Sequence, residues 1–403
     1  FGKVHFTPEQ YTLRVLKSEV PILDYRRFAD QAQVPLIPDD PCKRQYGFQE
    51  HVGCEDCLRG AHRAWLRKVN PGLLHAAKQP VDGGPSDLFM SPYPDGYHES
   101  AFIARQAIGF IERQSGERPW FAFCSFIAPH HPFEAPRERI ARFDPAQFEV
   151  PAAAPEEERR LLPERVAQAW HEMDRWTESG KRAVMRHYAA SISLIDDGVG
   201  KLLHTLRERG ELDNTLIVFA ADHGEFACRR GLVRKPSLHY DDILRVPLII
   251  RLPGGSGAGR RVEGLVELAD LHPTLLGLVG IAPNPGVQGR DWSEALRTGG
   301  PIGRESIYAD MYDDPVDETR CLHVSGGPYM AVQTLRTERW KLNLYPTAGF
   351  RFGQLFDLEQ DPGEQVNRYG DPAVRSVREE LLWNLNRRRF EQADPVPRIL
   401  SQW

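Results

Sequence analysis

The stretch Leu216-Ile217-Val218-Phe219-Ala220-Ala221-Asp222-His223-Gly224-Glu225 decides the fold. A short, unbroken apolar run is the pattern of a strand buried on both faces. It leads straight into an acid and an imidazole. Residues just past such a strand sit at the carboxyl edge of a sheet, where open α/β folds place their ligands. On extended backbone Asp222 and His223 would point apart. A tight turn eased by Gly224 lets both converge on one cation. A plain surface turn is the competing reading of these residues taken alone.

The same arrangement recurs upstream. Trp120 to Ile127 (WFAFCSFI) reads as a second buried strand, and it runs into Ala128-Pro129-His130-His131-Pro132-Phe133. Two histidines set between prolines make a stiff loop. Helical spacing predicts a helix from Tyr97 to Arg113 and a long amphipathic one from Lys181 to Arg209. Ile192, Ile195, Val199, Leu202, Leu203 and Leu206 form the stripe of the latter, with Gly210 at its C-terminal cap. Asp196 and Asp197 lie on it about 100° apart, which suits a solvated face or a neighbouring loop better than a metal. Arg245 to Ile250 reads as the next buried strand, and Leu268 to Val279 as a helix capped near Asp270. The alternation predicts the α/β class, with a doubly wound, mostly parallel sheet.

Past the Pro- and Gly-rich residues 283–300 the pattern changes. Glu305 to Ala309, Tyr329 to Arg336, Trp340 to Tyr345 and Gln354 to Leu358 read as short strands, and about Ala373 to Phe390 as a closing helix. The expected organisation is an α/β domain over 1–285, with a loop-rich insertion at 7–95, and a smaller C-terminal α+β subdomain over 300–403: an antiparallel sheet plus a helix.

Composition narrows the function. The chain has 403 residues and a net charge of -5, which argues against a general nucleic-acid binder. No apolar run approaches the roughly 20 residues of a membrane helix. Six cysteines are too scattered for a disulfide framework. Cys54 and Cys57 form a CxxC with Cys42, His51 and His62 nearby; a structural metal, loop thiols and one local disulfide are all compatible with it. The chain opens on Phe1-Gly2-Lys3-Val4-His5-Phe6 with no initiator Met and no signal sequence. That start leaves the compartment open and leads us to expect further chain upstream.

The chemistry-bearing residues are Lys3, His5, His130, His131, Asp222, His223 and Lys235. A divalent cation on an acid and an imidazole, ringed by Lys and His, suits a tetrahedral oxyanion. A histidine can protonate a leaving alkoxide or phenoxide. Sulfate and phosphate esters both fit.

These segments resemble the sulfatase family of the alkaline phosphatase superfamily. FGKVHF is similar to its Gly-Lys-x-His segment and SFIAPHHPF to its Pro-His-x-Pro-Phe segment. SLIDDGVGKLLHTLRERGELDNTLIVFAADHGE resembles the helix and strand before its second metal motif. RVPLIIRLPG, DLHPTLLGLVG, LRTERWKLNLYP and LFDLEQDPGEQVN resemble later landmarks. The resemblance implies a sulfuric ester hydrolase acting on a sulfated small molecule or carbohydrate. It implies Asp222 and His223 as metal ligands. It also implies catalytic roles for His130, His5, Lys3 and Lys235, with Lys3, His130, His131 and Lys235 binding the sulfate. The implied metal is Ca²⁺; an imidazole ligand leaves Mn²⁺ or Zn²⁺ as alternatives.

The family's nucleophile is a formylglycine, made from Cys or Ser in a Cys-x-Pro/Ala-x-Arg setting by a formylglycine-generating enzyme. None of the six cysteines has that setting. The family's N-terminal aspartate pair is also not found. Both are expected upstream of Phe1, and this chain alone is expected to be inactive. Two alternatives remain: a phosphodiester or phosphonate monoester hydrolase on the same scaffold, and a non-catalytic fragment.

Overall fold

The computed structural model describes residues 48–54, 58, 60–161, 172–283, 286–313, 316–317, 322–323, 330–346 and 352–392. The chain divides into two compact units: Phe1–Pro151 with Glu172–Leu212, and Ala152–His171 with Asp213–Trp403.

In the first unit, two helices form the frame. Glu99–Glu112 buries Phe102, Ile103, Ala107 and Ile111, the spacing predicted from sequence. Glu178–Glu208 is the long amphipathic helix and spans about 46 Å at 1.5 Å per residue. Thr177 caps its start, its hydroxyl accepting the Gly180 N–H at 3.1 Å. Gly210 closes its end in the left-handed region at φ 67°. The helices approach closely because Gly198 has no side chain. A Cβ there would lie 3.0 Å from the Phe126 ring and 3.3 Å from Ala104. Asp197 reaches a neighbouring segment, accepting from the buried Arg139, whose Nε also donates to Asp95 at 2.8 Å. A small sheet completes the unit: Leu88–Ser91 pairs antiparallel with Gln79–Pro80 and parallel with Phe133–Pro136.

In the second unit, a four-stranded antiparallel sheet is made by Ile307–Asp313, Met330–Arg336, Trp340–Leu344 and Gly353–Asp357. Alternation along its strands separates two faces. Leu335, Leu342, Leu344 and Leu355 pack on Leu381 and Leu385 of the Arg375–Glu391 helix. The opposite face carries Val332 and Phe356, which pack with Phe226, Leu232, Leu238, Tyr240 and Ile243. That same face buries polar residues in a continuous network. His239 Nδ1 and Thr334 Oγ1 are 2.8 Å apart, and Thr334 donates to Asn343 at 2.8 Å. Asn343 and Tyr345 both donate to Gln354 Oε1, at 3.1 and 2.7 Å. Gln354 donates in turn to Glu158 and Tyr240.

The α/β architecture with a C-terminal antiparallel subdomain stands as expected, and three local expectations are corrected. Ile217–Ala220 and Leu248–Arg251 pair antiparallel. A parallel pair needs a crossover, usually a helix. Only the single turn Asp241–Leu244 lies between these strands, and the helix Leu271–Leu278 follows both. Nor is this ladder buried on both faces: Phe219 and Ile249, direct cross-strand neighbours, are 39% and 63% exposed. Trp120 to Ile127 forms no strand among the described residues. Phe121 and Phe123, two positions apart, are both exposed there.

Candidate functional site

The strand Ile217–Ala220 delivers the chain into the turn Asp222 to Glu225. Gly224 makes the turn tight. Its N–H donates to the Ile243 carbonyl at 2.8 Å. A Cβ on it would stand 1.9 Å from the Asp242 carbonyl oxygen, so only glycine fits.

The turn brings the Asp222 and His223 side chains together. Asp222 Oδ1 accepts the His223 backbone N–H at 2.9 Å. His223 Nδ1 is 2.7 Å from the Gly224 carbonyl oxygen. A carbonyl only accepts, so Nδ1 carries the proton and Nε2 keeps its lone pair in the neutral ring. Nε2 lies 3.7 Å from Asp222 Oδ2. At ligand distances of about 2.3–2.6 Å, two donors so spaced can share one cation. The carbonyl on the far ring nitrogen is the kind of support that metal-bound histidines receive. The donor set therefore fits a divalent cation. Among the described residues, no group of three His, Cys, Asp or Glu is placed to hold one.

Lys235 is half-buried in the loop that follows, and its charge acts on Glu225. Glu225 was not singled out from sequence. Burial raises its carboxyl pKa, and the Ala227 and Arg234 N–H groups and Lys235 oppose the rise. The signal was present, since Glu225 directly follows the Asp-His-Gly triplet.

His130 and His131 belong to the first unit; Asp222, His223 and Lys235 belong to the second. The two histidine rings stack with centroids 4.1 Å apart. His130 N donates to the Ile127 carbonyl at 3.1 Å, and its Nδ1 is 2.5 Å from the His131 carbonyl. Lys3 and His5 lie outside the described residues, as do Cys42 and Cys57. Cys54 is buried with Phe102, Ile103 and Ile127, and His62 donates to the Tyr97 carbonyl at 2.9 Å.

The described thiols are poor nucleophiles. Cys54 and Cys228 are buried, and burial pushes the Cys124 thiol up to about 11. Two serines do fall in Ser-x-Ala-x-Arg strings, Ser256 to Arg260 and Ser293 to Arg297, a pattern overlooked when only cysteines are searched. Ser293 is buried at the start of the short helix Ser293–Thr298. Ser256 is exposed in a glycine-rich turn after the Leu248–Arg251 strand.

The Sulfatase family model matches residues 20–281, and the model described as N-sulphoglucosamine sulphohydrolase, C-terminal, matches residues 231–391. The choline-sulfatase of Rhizobium meliloti is 32% identical over 281 residues, covering 68% of this chain and 51% of that protein. The N-acetylglucosamine-6-O-sulfatase of Bacteroides thetaiotaomicron is 28% identical over 216 residues, covering 53% of this chain and 37% of its own. Among solved structures, the phosphonate monoester hydrolase from Silicibacter pomeroyi superposes with a TM-score of 0.74 at 26% identity. It covers 90% of this chain and 76% of that one. The chain spans about half the length of the curated relatives it matches. With the family model spanning most of its length, the chain belongs to the sulfatase family.

Proposed function

We propose that the protein to which this chain belongs is a metal-dependent sulfuric ester hydrolase that cleaves sulfate monoesters of a small molecule or carbohydrate. The Asp222–His223 donor pair carries this reading, in a chain of the sulfatase family. The names of two relatives, a choline-sulfatase and an N-acetylglucosamine-6-O-sulfatase, support the substrate class.

In this reading Asp222 and His223 hold one divalent cation, Ca²⁺ or alternatively Mn²⁺ or Zn²⁺. When bound, the ion offsets charge on the ester oxygens. Asp222 Oδ1 is engaged by the His223 N–H, and the donors assigned to the ion are Oδ2 and His223 Nε2. Lys3, His130, His131 and Lys235 bind the sulfate. His130 or His5 delivers a proton to the leaving oxygen, which matters most for a poor leaving group. The nucleophile is a formylglycine outside this chain's six cysteines, installed by a formylglycine-generating enzyme.

A second reading, phosphonate monoester hydrolysis, is favoured by the likeness to two phosphonate monoester hydrolases at TM-scores of 0.74 and 0.73. Turnover of an aryl sulfate and an aryl phosphonate monoester by the complete protein separates the two. A higher kcat/KM on the sulfate supports the first reading, and the reverse order supports the second. Turnover of neither substrate supports a non-catalytic scaffold.

A further inference from the structure

We propose that Glu364, in the C-terminal subdomain, is a positioning residue that acts through Arg230 on the loop carrying Lys235. The functional part of this proposal rests on the reading of Lys235 as an oxyanion contact.

The loop between Glu225 and Lys235 has an unusual backbone. Ala227, Cys228, Arg230 and Arg234 all have positive φ, at 44°, 75°, 57° and 62°. Such conformations are uncommon for residues with a Cβ, and several together persist only where the surroundings hold them. Two holds are present. At the base, the Glu225 carboxylate accepts the Ala227 N–H at 3.1 Å and the Arg234 N–H. At the tip, the buried Arg230 guanidinium is gripped on every side. Its Nε donates to Asp242 at 3.0 Å, and its terminal nitrogens donate to the Gly363 and Glu364 carbonyls. One of them is also 3.5 Å from the Glu364 carboxylate. Its plane stacks 3.9 Å from the Tyr240 ring.

Glu364 is the hub of this arrangement. Its side chain is 1% exposed, and its own φ is 51°. It accepts the Asp241 N–H at 2.8 Å and pairs with Lys341, a fully buried residue of the four-stranded sheet. Lys341 also pairs with Asp241 at 2.9 Å. One carboxylate thus joins the loop tip, the short helix beyond the loop and the sheet. Buried charges of this kind are a poor way to gain stability, because apolar residues of similar volume often serve as well. What they supply is a single conformation, here for a loop with four left-handed residues besides Gly231. The planar fork of arginine is needed for it, since a lysine makes no such set of contacts.

The test is hydrogen exchange combined with kinetics, on Glu364→Gln and Arg230→Lys variants of the complete protein. We expect amide exchange in residues 226–235 to accelerate about ten-fold or more, with the Glu178–Glu208 helix unchanged. We also expect KM for the aryl sulfate to rise about ten-fold, with a smaller change in kcat. Unchanged exchange at 226–235 in both variants overturns the proposal. So does a loss of protection spread evenly over the second unit with KM unaltered. If Glu364→Gln does not fold, Arg230→Lys probes the same contact with the charge retained. If the wild type turns over neither ester, the functional reading fails by itself, and the exchange result alone supports or overturns the positioning role.

Discussion

His223 Nε2 lies 3.7 Å from Asp222 Oδ2, with the other ring nitrogen occupied by the Gly224 carbonyl. That spacing suits two donors to one cation. Replacing either donor, by Asp222→Asn or His223→Ala, is expected to weaken divalent-cation binding by about 10²-fold or more. Calorimetric titration with Ca²⁺ and Mn²⁺ measures this directly. His223→Asn should shift preference towards Ca²⁺, because an amide oxygen is the harder ligand.

Gly224 is predicted to tolerate no side chain. Gly224→Ala puts a methyl group 1.9 Å from a backbone oxygen that cannot move alone. We expect a loss of about 1–3 kcal/mol or more, typical of forced overpacking. Urea denaturation checks it. Gly210→Ala, where nothing lies within 4 Å, tests positive φ without the clash and should cost less.

Asp270 pairs with Arg304 inside the second unit, both buried, and also accepts the Arg290 N–H at 2.7 Å and the Trp292 indole N–H at 3.1 Å. Asp270→Ala leaves one arm of the buried Arg304 guanidinium without its carboxylate, while Glu267 still holds the other at 2.7 Å. The expected destabilisation is about 1–3 kcal/mol, read from denaturant unfolding.

His239 gives a pH prediction with a definite sign. Burial, with help from Lys341, lowers its pKa to about 3. In the unfolded chain the value is about 6.5. Between those values the unfolded state binds the proton and the folded state does not, so stability falls as pH drops from about 6.5 towards 3. At pH 5 the contribution is about 2 kcal/mol. His239→Asn should flatten the loss of stability between pH 7 and pH 5 by about that amount, compared at matched urea concentrations.

Much of the fold was legible because periodicity is a strong signal over long segments. The helix expected from Lys181 to Arg209 is found at Glu178–Glu208, and three of the four C-terminal strands lie within a residue or two of expectation. Strand direction was not legible. A buried run such as RVPLII has the same composition whichever way it pairs, and only the short connecting helix Asp241–Leu244 discloses the antiparallel match. At the site, the Asp222–His223 pair was visible because glycine follows it directly. Arg230 and Glu364 were not, because their roles come from contacts across as many as 134 positions and from left-handed backbone that no local pattern announces.

The polar face of the C-terminal sheet bears on how this chain can change over evolutionary time. His239, Thr334, Asn343, Tyr345, Gln354, Tyr240 and Glu158 are hydrogen-bonded to one another out of contact with solvent. Removing one member leaves its neighbour an unmet donor or acceptor, whereas replacing both together can be nearly neutral. Drift at these positions should therefore proceed by linked pairs. A lineage that loses Asn343 should be found to have changed Thr334 or Gln354 as well.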